Sequence, residues 1–224
     1  SIPADLSLYS SAFVCLGIYS DNHVLSDGEG QALADFLNGG GKLYMEGGDT
    51  WYYDAQTAVH SMFNINGEAD GSGDLETILG QSGSFTEGML FNYSGQNSWI
   101  DHISPTGSAI MIFVNQTPNY GCGVAYDAGD YATVGASFEF GGLDDNSDAT
   151  KDELMAKYLE FFGLYSPYTP TQVVELNTGY QFISTRIETE NPDMLVVLQD
   201  ILNENLDYVR NSGGAVLRKI GPNW

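Results

Sequence analysis

The stretch Gly39-Gly40-Gly41-Lys42-Leu43-Tyr44-Met45-Glu46-Gly47-Gly48-Asp49-Thr50-Trp51 decides how this chain is read. Three glycines close a preceding helix, a short apolar run makes a buried strand, and a second glycine pair turns the chain sharply. A helix-to-strand-to-loop step of this kind belongs to an open α/β sheet, where ligands sit at the carboxyl ends of the strands. Residues 46–53 are therefore the first place to look for chemistry.

On the N-terminal side, residues 11–19 form a continuous apolar run, as expected of a parallel strand covered on both faces. Ser26-Asp27-Gly28-Glu29 is a capping box that opens a helix reaching Asn38, with Leu33, Phe36 and Leu37 as its apolar stripe. Strand, helix and strand make a βαβ unit. On the C-terminal side, residues 55–63 read as a second helix, 67–73 as a polar glycine-rich loop and 74–79 as one or two helical turns. Strands are expected over 88–93, 109–114, 123–127 and 133–140, the last two joined as a hairpin through Ala128-Gly129-Asp130-Tyr131. Thr150-Lys151-Asp152-Glu153 is a second capping box, opening a helix striped by Leu154, Met155, Tyr158, Leu159 and Phe162 and closed by Gly163.

Pro167 and Pro170 mark residues 165–170 as a linker. Beyond it the pattern gives strands near 172–176 and 180–187, a helix begun by Asn191-Pro192, and two short strands flanking Asn211-Ser212-Gly213-Gly214. The domain plan is thus an α/β domain over 1–164, the linker, and a small β-rich α+β domain over 171–224. About 55 residues are marginal as an independent core, so that second domain is expected to be incomplete.

The 224 residues are 42% hydrophobic, enough for a core, and carry 7 basic against 30 acidic side chains, a net charge of −23. The imbalance is local: residues 1–165 hold 23 acidic and 3 basic side chains. Such a field repels phosphate backbones and anionic lipid, which argues against nucleic-acid and membrane-surface roles. No apolar run approaches the roughly 20 residues of a membrane span. Cys15 and Cys122 are too few for a disulfide framework and lack metal-ligand spacing.

The order of elements, and the phrases at residues 13–20, 29–38, 40–49, 123–127, 135–143 and 154–163, resemble the class I glutamine-amidotransferase-like superfamily over residues 9–164. The likeness is to its non-catalytic extracellular branch, carried as accessory modules in large secreted surface proteins of Bacteroidetes type. It implies a flavodoxin-like, amidotransferase-like three-layer sandwich with a mostly parallel sheet, an extracellular or cell-surface location, and a first strand and helix upstream of Ser1. It also implies partners among the other domains of the parent chain or other surface proteins. Residues 174–224 resemble a β-rich module found near the C-terminal ends of such surface proteins.

Catalytic amidotransferases use a Cys in a Gly-x-Cys-x-Gly elbow and a His-x-Glu pair. Here Asp49 stands at the matching turn, and neither His23, His60 nor His102 begins a His-x-Glu pair. The resemblance therefore implies a structural or interaction module without glutaminase chemistry. Two alternatives remain open on the residues. Glu46 and Asp49 are paired carboxylates suited to a hydrolase, and Trp51, Tyr52 and Tyr53 are an aromatic platform suited to a sugar or peptide. No cofactor is called for. The metal the sequence admits is calcium, at Asp70, Asp74 and Glu76 or at Asp144, Asn146 and Asp148, where hard oxygen ligands alternate along a loop.

Overall fold

The computed structural model describes residues 5–165 and two further strands, Tyr208–Arg210 and Val216–Arg218. The chain divides into two compact units, Ser1–Pro167 and Tyr168–Trp224. In the second unit the two strands pair antiparallel. The linker and the remaining elements expected beyond it lie outside the described residues.

The first unit begins with β1 (Ser11–Cys15), α1 (Asp27–Asn38) and β2 (Lys42–Glu46), the βαβ unit read from the sequence. Ser26 caps α1: its Oγ accepts from Glu29 N, and Glu29 Oε2 accepts from Ser26 N at 3.0 Å. There follow β3 (Ile65–Ala69), β4 (Thr77–Gly80), β5 (Leu90–Tyr93), β6 (His102–Pro105), β7 (Ile110–Asn115), β8 (Tyr120–Asp127), β9 (Ala132–Ala136), β10 (Leu143–Asp144) and α2 (Lys151–Phe161). Eight of them form one sheet in the order β1-β2-β9-β8-β7-β4-β5-β10, while β3 and β6 pair separately.

Only β1, β2 and β9 run parallel; every other pairing in the large sheet is antiparallel. The expected flavodoxin-like sandwich with a mostly parallel sheet is therefore corrected to a mixed sheet with two α-helices among the described residues. The reason is the connections. A parallel pair needs a crossover, usually helical, and after α1 the chain supplies antiparallel neighbours instead. Residues 55–63 hold a 3-10 turn, His60–Phe63, rather than a helix. Thr57 N donates to the His60 Nδ1 instead of entering a helical ladder, and Asn64 at φ 52° ends the turn. Residues 77–80 are a strand between β5 and β7, where β-branched Thr77 and Ile78 fit a pleated surface.

β2 and β9 are buried on both faces, whereas β1, expected to be covered on both, is the edge strand and leaves Phe13 and Cys15 exposed. On one face Tyr44 and Val134 pack with Phe138 and with Leu154, Tyr158 and Phe162 from α2 and its end. On the other, Leu43 and Met45 pack with Leu33 and Leu37 of α1 and with Trp51, Val59 and Phe63. β2 is the middle strand, with Tyr44 in register between Phe13 and Val134.

Candidate carboxylate site at the end of the parallel strands

At its carboxyl end β2 is flanked by the exits of β1 and β9. Gly47 N donates to Ala136 O and Gly48 N to Gly17 O, both at 3.1 Å, so the turn is pinned from both sides. The chain then places Asp49, buried, with its Oδ2 3.4 Å from Asn22 Nδ2. Trp51 folds inward: its Nε1 donates to Ala136 O at 2.8 Å and its ring meets Phe63 and His60 edge-on. His60 Nδ1 accepts from Thr57 N, leaving Nε2 to face Thr50 Oγ1 at 3.3 Å, and burial lowers its pKa.

A second carboxylate arrives from the small ladder. β3 and β6 pair with Ala69 opposite His102, so the next residues outward, Asp70 and Asp101, are neighbours. Asp101 N donates to Gly48 O, and Asp101 Oδ2 accepts from Trp51 N at 2.9 Å and Tyr52 N at 2.7 Å. This carboxylate holds the turn after β2 in place. One carboxylate oxygen from each of Asp49, Asp70 and Asp101 lies within 4.8 Å of the others. Burial, followed by the charges of Asp54 and Asp70, raises Asp49 to about 6. Burial raises Asp101 to about 7 against the pull of the two backbone donors, and Asp49 and Asp70 add to the rise.

The sequence candidates are distributed differently. Glu46 points to the opposite face: its Oε2 accepts from Tyr44 OH at 2.6 Å and from Phe140 N at 2.7 Å. Burial raises its pKa, and neither it nor Asp49 is perturbed by the other. Of the aromatic trio, Trp51 is core, whereas Tyr52 and Tyr53 are 50% and 69% exposed. The first proposed calcium loop separates: Asp70 joins Asp49 and Asp101, Asp74 is bonded by Ser72 Oγ and Tyr120 OH, and Glu76 is exposed. In the second, Asn146 Oδ1 accepts from the backbone of Asp148 and Ala149, and Asp144 accepts from Ser94 Oγ. Asp101 was the residue that sequence reasoning missed. Its signal is faint, a lone acid between Ile100 and His102 at the mouth of a four-residue strand.

The surroundings of both thiols disfavour the thiolate. Cys122 is fully buried with its pKa pushed up by burial, and Cys15 is pushed up to about 12 by burial and then by Glu46. A cleft of about 580 Å³ lined by Ser10, Phe36, Gly40 and Lys42 lies at the opposite, amino end of β1 and β2. Among the described residues no helix is long and apolar enough to cross a membrane.

This is the fold of a mixed α/β domain with a carboxylate cluster at its parallel edge. No family model matches the sequence, and no curated protein matches it. Among solved structures, the β-galactosidase of Bacillus circulans sp. alkalophilus is 13% identical, with TM-score 0.50, over 75% of this chain and 25% of that one. The β-galactosidase of Rahnella sp. R3 is 11% identical, with TM-score 0.49, over 72% of this chain and 24% of its own. An N-terminal domain of mmIFT52 is 13% identical, with TM-score 0.48, over 76% of this chain and 81% of its own. At such identity the Bacillus match shows the fold alone, and the chain spans about a quarter of these β-galactosidases. The amidotransferase-like resemblance is corrected accordingly: the sheet is not of the implied type, and the Bacillus match is to part of a β-galactosidase chain. The Bacteroidetes surface-protein attribution that came with it has no support in these matches.

Proposed function

We propose that this chain is a carbohydrate-associated module of a longer glycoside-processing protein, with the other domains of that protein as its partners. The observation that carries the reading is the make-up of the rim after β2. Exposed Tyr52 and Tyr53 follow directly on the turn that Asp101 holds, and Trp99, 52% exposed and at φ 55°, lies on the segment leading into Asp101. A bulky residue in the left-handed region is uncommon and concentrates at functional sites. Flat amphipathic rings beside carboxylates are the groups that take up the apolar face and hydroxyls of a sugar. The likeness of the fold to part of a β-galactosidase chain is consistent with that ligand class.

Affinity electrophoresis in gels containing β-galactan or β-mannan tests the reading. The chain should be retarded, and Tyr53→Ala, at the more exposed ring, should migrate freely while keeping its fold. Unretarded migration of the unaltered chain across both polysaccharides would sink it.

Hydrolysis is the second reading, favoured by Asp101 raised to about 7 beside Asp49 at about 6, which allows one carboxyl group to hold a proton near neutrality. Glu46 has no part in it, being bonded on the other face. Asp101 Oδ2 is taken up by the amides of Trp51 and Tyr52, a holding role that places binding ahead of catalysis. Release of reducing ends from the same polysaccharides, lost in Asp101→Asn, would reverse that order.

A further inference from the structure

We propose that Asp49, Asp70 and Asp101 together bind one hard divalent cation, calcium, which ties the turn after β2 to the ends of β3 and β6. Three separate segments each deliver a carboxylate oxygen, and these lie within 4.8 Å of one another. Ligand oxygens about 2.4 Å from a calcium ion are at most about 4.8 Å apart, so the cluster has the span of one coordination sphere. All three donors are hard oxygens, with no thiolate or imidazole among them, which suits calcium rather than a transition metal.

The independent sign of a ligand is the state of Asp101. Its side chain is fully buried, Oδ2 is taken by two backbone donors, and Oδ1 has no hydrogen-bond partner among the described residues. A buried carboxyl oxygen left without a partner is unfavourable, and more so when the group is ionised. The ion pairs among the described residues, His23 with Glu29 and Lys151 with Asp145, lie elsewhere. A cation supplies the missing partner. Asp70 is exposed, which gives the ion a path from solvent, whereas Asp49 and Asp101 stand behind it. Gly71 lets the loop after Asp70 approach closely, since a Cβ there would sit 1.9 Å from Ile100 O. The site stands independently of the carbohydrate reading, and its occupancy would stiffen the segment that carries Tyr52 and Tyr53.

The test is calorimetric titration of the chelator-stripped full chain with calcium chloride, then magnesium chloride, with thermal melts alongside. One calcium per chain should bind and raise the melting temperature, because a ligand held only by the native state stabilises it. Asp70→Asn, at an exposed side chain, should weaken calcium binding at least about tenfold, while Asp148→Asn, on the other acidic loop, should leave it unchanged. Absence of heat with superimposable melts at millimolar calcium and magnesium would overturn the proposal, as would undiminished binding in Asp70→Asn. Tighter magnesium than calcium binding would overturn the assignment of the ion.

Discussion

Glu46 and Tyr158 meet the same dry face of the sheet in opposite ways. Glu46 Oε2 has two donors, Tyr44 OH and Phe140 N, whereas Tyr158 OH is buried with no partner among the described residues. A buried polar atom without a partner is unfavourable, and removing it can leave stability unchanged or higher. Tyr158→Phe should therefore be neutral or stabilising by up to about 1 kcal/mol, while Tyr44→Phe should cost about 1–3 kcal/mol by stripping a donor from a buried carboxyl. Urea denaturation of the two variants decides it, and equal losses would contradict the assignment. His60 gives a pH signature. Burial holds its folded pKa below the ordinary 6.5, so the unfolded chain binds a proton that the native ring resists. Its contribution is present above about pH 6.5 and is lost as pH falls through the folded pKa. The slope of stability against pH between about 5 and 7.5 should become less positive in His60→Gln than in the unaltered chain, the opposing contributions of Asp49 and Asp101, raised to about 6 and about 7, being common to both. Identical slopes would mean that the ring titrates as freely when folded as when unfolded.

Among the elements, those with caps and long apolar patterns could be read from sequence. Ser26 and Glu29 opened α1, Thr150 and Glu153 opened α2, and the run ending in Glu46 was a strand with its turn where expected. Strand direction was not legible, because Leu43 or Ile112 is buried alike in a parallel or an antiparallel neighbour. Nor were β3 and β6 readable, being four or five residues long and containing Gly67 and Pro105, residues that ordinarily argue against a strand. Two of the three carboxylates, Asp70 and Asp101, hang on that unread ladder. Asp49 could be found from its glycine turn and Asp70 from its acidic loop, but their meeting with Asp101 depends on a pairing between residues far apart in sequence. Gly67 shows what the ladder requires. A Cβ there would lie 2.3 Å from Trp51 O, a backbone atom that cannot step aside. Gly67→Ala should thus destabilise by about 1–3 kcal/mol and loosen the turn that Asp101 holds, with faster amide exchange at Trp51 and Tyr52 as the direct measure. Protection unchanged at both amides would show that the ladder does not support the turn.

At the scale of the whole molecule the dominant fact is charge. Residues 1–165 carry 23 acidic and 3 basic side chains, and only two ion pairs occur among the described residues. Self-repulsion on this scale opposes the compact state. The scarcity of basic side chains also fits a cluster of three carboxylates that, among the described residues, forms no ion pair, and it raises the local demand for a cation. Screening and specific binding can be separated because they depend on salt differently. Raising sodium chloride from about 0.01 M to about 0.5 M shortens the Debye length from about 30 Å to a few ångströms and weakens repulsion between all surface carboxylates. The melting temperature should therefore rise smoothly with sodium chloride, and to the same extent in Asp70→Asn, since the loss of one charge barely alters the net field. If it fell instead, attractive surface pairs would outweigh the repulsion, and the acidic excess would have to be neutralised locally in a way that the two observed ion pairs do not provide.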